Sequence, residues 1–381
     1  MKTICVVTGS RADYSLLYWL MRDLADDRDF RLQVAVTGMH LSPEFGETWR
    51  VIDADGFAID ARVETLLSSD TAQGVAKSTG LGVIGFADAF AHLRPDIVVL
   101  LGDRFEILAA AQAALIAKLP VAHLCGGDIT EGAFDDAIRH SITKMAHLHF
   151  VTNEPAARRV RQLGEDPKYI FNVGSPGIDN IKRVRLLERT EIERQLAMRF
   201  RARNLLVTFH PATLDLQPAP AQLEELLRGL DAIGPAVGVV ATKSNADPEG
   251  RRLNQMLEQY AAERDNCYCF DSLGPQLYLS VMAQVDGVIG NSSSGLYEAP
   301  SLKRPTVNIG DRQKGRLRAA SVIDCAPDAS AIERAIRAAF ELDCSQVSNP
   351  YGNGNSVQRI VQVLKTIPDS QALIRKRFVD A

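Results

Sequence analysis

Short runs of apolar, mostly β-branched residues recur along the chain, each closed by glycine or a polar residue and followed by a stretch of helical period. In the first half they read TICVVTG (3–9), LQVAVTG (32–38), DIVVLLG (96–102), VAHLCG (121–126), LHFVTN (148–153) and YIFNVG (169–174). This alternation constrains the fold more than any other feature. Strands separated by helices pair in parallel, and a parallel sheet is covered on both faces, so its strands read as unbroken apolar runs. After GSPGIDNI (174–181) a charged segment rich in Arg and Glu interrupts the rhythm, which restarts with NLLVTFH (204–210), VGVVATK (237–243), CYCFDS (267–272), DGVIGNSS (286–293) and PTVNIG (305–310). The fold expected is α/β, with two doubly wound Rossmann-like domains over 1–178 and 179–365. SVQRIVQVLKTI (356–367) has a period of about 3.6 residues and reads as a helix. Residues 366–381 are expected to form a terminal tail that packs back across the joint.

At 381 residues, with 46% hydrophobic and 24% charged side chains, the chain can bury two cores of ordinary domain size. Its formal net charge is -4, with acid and base mixed throughout, which argues against a nucleic-acid partner and against a basic membrane-binding patch. No apolar run approaches a membrane span, and the start of the sequence lacks the apolar region of a signal peptide. The six cysteines are sparse and read as reduced thiols, with no disulfide framework and no metal site. A cytoplasmic protein with a small-molecule partner is expected.

The polar motifs GSRADYS, GDRFE, CGGD, FHPAT, TKSNAD, GNSSSG and GDRQKGR each follow an expected strand directly. They therefore gather at the carboxyl edges of the sheets, where open α/β folds bind ligands, and a cleft between two such edges is the expected site. In GSRADYS, Gly9 suits a tight turn, the first-turn amides suit an anion, and Arg11 replaces the further glycines of a dinucleotide fold. GNSSSGLYEAP crowds Ser292, Ser293 and Gly295 at a helix start, with Glu298 placed to accept the hydroxyls of a ribose. Arg312, Lys314 and Arg316 follow the next strand. Asp103 stands directly behind an apolar strand, beside Arg104, where a carboxylate needs a partner or a task. The stretch 123–140 carries His123, Asp128, Glu131, Asp135, Asp136, Arg139 and His140; Asp135 and Arg139, four apart, suit a helix ion pair, and paired carboxylates suit proton abstraction from carbon. His210 ends an apolar strand at the equivalent edge of the second half.

With these motifs, roughly residues 3–325 resemble the hydrolysing UDP-N-acetylglucosamine 2-epimerases of sialic-acid biosynthesis. The resemblance implies glycosyltransferase-B architecture with an interdomain cleft. It also implies conversion of UDP-N-acetylglucosamine and water to N-acetylmannosamine and UDP through a 2-acetamidoglucal, with no cofactor and no metal. Catalytic positions would be Asp103, Glu131, Asp135 and His210. Substrate and UDP contacts would be Arg11, Ser15, Arg104, His123, Arg139, Asn245, Ser292, Ser293, Gly295, Glu298 and Arg312. A homodimer or higher homo-oligomer is expected. Many relatives read H-x-E where this chain has His123-Leu124-Cys125, so the identity of the base at C2 stays open, with Glu131 able to supply the missing carboxylate. A sister enzyme acting on UDP-2,4-diacetamido-2,4,6-trideoxyglucose would carry the same nucleotide motifs. A UDP-sugar glycosyltransferase would share the fold but has no need of the acid cluster.

Overall fold

The computed structural model describes residues 1–67, 71–130, 134–211, 217–244, 250–367 and 369–380. The chain forms two compact units, one of Met1–Ile129, Phe134–Asn180 and Gly352–Ala381, the other of Thr130 and Ile181–Tyr351. The first holds strands β1 (Lys2–Thr8), β2 (Phe30–Thr37), β3 (Ala61–Val63), β4 (Ile97–Leu101), β5 (Val121–Leu124), β6 (Leu148–Val151) and β7 (Ile170–Asn172). They pair in parallel in the order β3-β2-β1-β4-β5-β6-β7. The second holds β8 (Arg203–Thr208), β9 (Val237–Thr242), β10 (Cys267–Phe270), β11 (Gly287–Gly290), β12 (Thr306–Ile309) and β13 (Val322–Cys325). These are also parallel, in the order β10-β9-β8-β11-β12-β13. Both units are therefore doubly wound α/β sheets, and in each the strand order reverses beside the first strand.

Burial explains the unbroken apolar runs. Along β1, Ile4 and Val6 pack with Leu17, Leu20 and Met21 of the helix Arg11–Asp26, while Cys5 and Val7 pack on the other side with Phe86 and Phe90 of the helix Ala72–Leu93. Successive side chains point to opposite faces, so covering both faces requires every residue to be apolar. The second sheet repeats the arrangement, with Leu205 and Val207 in one core and Leu206 in the other. Each fully buried aliphatic side chain contributes about 1.5–3 kcal/mol. Strands β3 and β13 were not expected from the sequence. β3 has three residues and β13 is only half-buried, and both are edge strands with too little apolar pattern to mark them.

The C-terminal segment divides differently from the expected boundary at 365. The whole helix Ser356–Thr366 belongs to the first unit, where Val357, Ile360 and Leu364 enter the core beside the helix Arg11–Asp26. Beyond it the chain forms a short 3-10 turn, Gln371–Ile374. Lys376 Nζ then reaches Glu165 Oε2 at 2.7 Å and donates to the Ala146 carbonyl at 2.6 Å.

The anchor of this segment is Asp179, which is fully buried. Its carboxylate accepts from the backbone N–H of Ser356 (3.0 Å) and of Val357 (3.2 Å), two donors left open at the helix start, where Asn355 makes no capping bond of its own. Asp179→Ala is expected to cost about 2 kcal/mol in urea unfolding, and to open the chain after residue 351 to limited proteolysis. Asp179→Asn, which keeps an acceptor, should lose less. Equal stability of all three proteins would show that apolar packing alone holds the terminal helix.

Candidate active site

A reversal of strand order opens a crevice at the carboxyl ends of the two diverging strands. In the first unit these are β1 and β4. β4 is followed by Gly102, in left-handed backbone (φ +77°), and then by Asp103 before the helix Phe105–Ile116. The Asp103 carboxylate is paired with Arg139, which is 4% exposed. Arg139 also donates to the Asp128 carbonyl (2.7 Å) and to Asp136 Oδ1 (3.1 Å). The ion pair expected between Asp135 and Arg139 is thus replaced by one that reaches across the sheet edge. Arg104 likewise pairs with Glu106 rather than with the adjacent Asp103, its Nε lying 2.6 Å from Glu106 Oε1.

Asp135 opens the helix Asp135–Met145 and is half-buried. Burial pushes its carboxyl up to about 6, the charge of Asp103 pushes the same way, and Arg104 and Arg139 oppose them. The Asp103 and Asp135 carboxylates are therefore near enough for their charges to bear on one another. Two expected substrate contacts are instead internal. His123 is fully buried, with Nε2 2.8 Å from the Gly102 carbonyl and Nδ1 3.1 Å from Thr143 Oγ1. Burial lowers it to about 3, so the neutral ring donates from Nε2 and braces the turn that carries Asp103. Arg139, equally enclosed, fixes the Asp103 carboxylate.

Arg11 is exposed on the first turn of its helix, and the Ser15 hydroxyl donates to the Ala12 carbonyl at 2.7 Å. Gly9 is not in left-handed backbone. Glu106 occupies the space where its side chain would be: a Cβ on Gly9 would lie 2.7 Å from Glu106 Cγ and from Oε1. Asp13 is buried as well and is pushed up to about 6, mainly by burial. Glu106 was not singled out from sequence, although it stands inside a quoted motif. Cys125, half-buried, has left-handed backbone (φ +63°), and its N–H donates to the Phe150 carbonyl at 2.9 Å. Glu131 and Asn245 lie outside the described residues.

In the second unit the diverging strands are β8 and β11, and a single amide links their ends. Asn291 Oδ1 accepts from the His210 backbone N–H (2.7 Å), its Nδ2 donates to the His210 carbonyl (2.8 Å), and its own carbonyl accepts from Arg312 Nη1 (3.0 Å) and Gln313 Nε2 (2.8 Å). Sequence reasoning missed Asn291, whose only signal was its place at the head of the serine run. His210 is buried, its Nδ1 has no hydrogen bond among the described residues, and burial with Arg312 lowers it to about 4. It is neutral at pH 7.

The helix expected after the serines is a single turn, Ser294–Tyr297, followed by a 3-10 turn, Ala299–Leu302. Its macrodipole is correspondingly small; Ser292 and Ser293 are half-buried, Arg312 bonds the preceding Asn291 carbonyl, and the charge of Arg316 bears on Glu298. Gly295 packs closely against β12, since a Cβ there would lie 2.5 Å from the Thr306 methyl. Burial pushes Glu298 up to about 7 against the pull of Arg316, and its Oε2 is enclosed without a hydrogen bond among the described residues. Among the described residues no group of His, Cys, Asp and Glu side chains could hold a metal ion, and no helix is long and apolar enough to cross a membrane.

The profile of the family described as UDP-N-acetylglucosamine 2-epimerase matches residues 22–365. A GDP/UDP-N,N'-diacetylbacillosamine 2-epimerase (hydrolyzing) from Campylobacter jejuni is 44% identical over 85% of this chain and 84% of its own length. Polysialic acid biosynthesis protein P7 from Escherichia coli is 37% identical over 100% of this chain and 98% of its own length. Among solved structures, the Methanocaldococcus jannaschii UDP-GlcNAc 2-epimerase in complex with UDP-GlcNAc and UDP has a TM-score of 0.78 at 17% identity, covering 95% of this chain and 99% of that one. At that identity the likeness speaks for the fold.

The coupling of the two acids can be measured without any substrate. Asp103→Asn removes a neighbouring negative charge and releases Arg139, so the Asp135 carboxyl should titrate below 6, toward the ordinary value of about 4. Carbon-13 NMR of labelled aspartate reads this directly. A midpoint that stays near 6 would leave burial as the sole cause.

Proposed function

The chain belongs to the UDP-N-acetylglucosamine 2-epimerase family and is a hydrolysing nucleotide-sugar 2-epimerase, and we propose that its substrate is UDP-linked 2,4-diacetamido-2,4,6-trideoxyglucose, that is, UDP-N,N'-diacetylbacillosamine. The observation that carries the chemistry is the Asp103–Asp135 pair, in which one carboxylate is pinned by a buried arginine and its neighbour is raised toward neutral pH. A carboxylate whose proton affinity lies near the working pH is suited to taking a proton from carbon and returning it. The 44% identity to the Campylobacter enzyme supports the diacetamido sugar. The full-length likeness to the polysialic acid biosynthesis protein supports a second reading, UDP-N-acetylglucosamine giving N-acetylmannosamine and UDP.

In either case Asp135 takes the C2 proton while the C1–O bond to UDP breaks, giving a 2-acetamidoglucal. Water then adds its hydroxyl to C1, and a proton is delivered to C2 on the opposite face. Asp103, held by Arg139, supplies the fixed negative charge beside the reacting carbon, and Glu131 is a further acid for the second proton transfer. Arg11, Ser15, Arg104, Asn245, Ser292, Ser293 and Arg312 take the roles of UDP contacts, with Glu298 on the ribose. His210, neutral in the free protein, donates a hydrogen bond to the departing diphosphate, whose negative charge raises the affinity of the ring for a proton. A homo-oligomer accords with the exposed Ile84 and Ile116 on two helices that pack together.

Turnover in heavy water tests the mechanism and the sugar together. With UDP-N,N'-diacetylbacillosamine the released sugar should be inverted at C2 and carry deuterium there, at a higher kcat/KM than with UDP-N-acetylglucosamine. Asp103→Asn and Asp135→Asn should each lower kcat by about 10²- to 10⁴-fold while UDP still binds. A product that keeps its original C2 hydrogen would end the elimination reading, and a preference for UDP-N-acetylglucosamine would favour the second sugar.

A separate expectation concerns Glu298. Its carboxyl is protonated below about 7, and only the ionised form accepts from both ribose hydroxyls, so UDP affinity should rise with pH through 7. Calorimetry on the protein and on Glu298→Gln separates this from titration of the UDP phosphate itself, because only the Glu298 component disappears in the variant.

A further inference from the structure

Glu106 has no part in the chemistry above, yet it is 1% exposed, and three features of the first unit are arranged around it. Its Oε1 accepts from Arg104 Nε at 2.6 Å. The ends of β1 and β2 are both followed by glycine: a Cβ on Gly9 would lie 2.7 Å from Glu106 Cγ and Oε1, and one on Gly38 would lie 3.2 Å from Oε1. Its Oε2 is enclosed with no hydrogen bond among the described residues, as is Asp13 Oδ2. A carboxylate taken this far from water requires its cation.

We propose that Glu106 is a positioning residue which, seated in the room left by Gly9 and Gly38, grips Arg104 by its Nε edge and fixes the guanidinium for a nucleotide diphosphate. The inference rests on the UDP contact proposed for Arg104 and assigns it to the diphosphate. The Arg104 side chain is 38% exposed, so the gripped group stays accessible, and Asp13 and Asp135 bear on it besides Glu106. An arginine fork recognises phosphate oxygens through paired hydrogen bonds, and holding it in one orientation beforehand reduces the ordering that binding must impose. The pairing surrenders part of the positive charge in return for geometry. It also gives Gly9 a reason other than close approach of the backbone to phosphate.

Calorimetry with UDP and steady-state kinetics on the full-length protein test this. Glu106→Ala should raise the Kd for UDP, and KM, by about 10- to 100-fold, with kcat changed far less. Glu106→Gln keeps an acceptor for Nε and should recover most of the loss. Arg104→Ala should weaken UDP binding comparably, and adding Glu106→Ala to it should cost nothing further. Gly9→Ala should mimic Glu106→Ala alone yet be silent in the Glu106→Ala background, where the space is vacant. Nitrogen-15 NMR of the Arg104 Nε–H gives an independent reading: slow exchange in the parent and in Glu106→Gln, fast exchange in Gly9→Ala. The Glu106→Gln and Gly9→Ala proteins carry the test if Glu106→Ala does not fold. Unchanged UDP affinity in folded Glu106→Ala, or losses that add in both cycles, would overturn the inference. A parent protein that neither binds UDP nor turns over a UDP-sugar would instead defeat the functional reading beneath it.

Discussion

The polar network of the first unit depends on the interactions of Arg139. Its guanidinium is enclosed and is shared among the Asp103 carboxylate, Asp136 Oδ1 and the Asp128 carbonyl. These groups follow β4 and β5 and open the helix Asp135–Met145, so one side chain ties three segments that meet only in the folded state. The network continues through the Asp128 carboxylate, which accepts from Thr152 Oγ1 at 2.9 Å and from Asn153 Nδ2 at 3.0 Å after β6. Removing the arginine would leave Asp103 without its counter-charge at a partly enclosed position, a loss of about 3–5 kcal/mol in comparable buried pairs.

The second unit meets the same structural demand with a neutral group. Asn291 links the ends of β8 and β11 and the loop after β12 through four hydrogen bonds of 2.7–3.0 Å. A primary amide both donates and accepts, so it can clamp another residue's backbone without placing charge beside His210, which stays neutral. The positive charge comes instead from Arg312 and Arg316. Each sheet thus has its polar residues at its own switch point, held by ionic bonds in one and by an amide in the other.

Much of this was legible in advance, for reasons that particular residues make clear. The apolar runs of β1, β4 and β8 announced strands buried on both faces, and Asp103 behind β4 announced a carboxylate in need of a partner. The partner itself was misread. Spacing of four on a helix pointed Arg139 at Asp135, and adjacency pointed Arg104 at Asp103, whereas Arg139 pairs with Asp103 and Arg104 with Glu106. Helical spacing reports which residues share a face, and carries no information about what a neighbouring strand end offers. His123 was expected to touch substrate from the family resemblance, but its burial depends on what packs over β5.

The amino-acid sequence by itself determined the class of fold, the parallel pairing and the edge at which polar residues collect, because strand and helix periodicity are local and burial on both faces leaves an unmistakable apolar run. Tertiary structure alone decided which acid meets which base, why Gly9 has no side chain, and where the terminal helix lies. Glu106 fills the space over Gly9, and Asp179 caps a helix that begins at Ser356, far along the chain. Such pairings depend on distances between residues remote in sequence, and those distances are set only when the sheets have closed their cores.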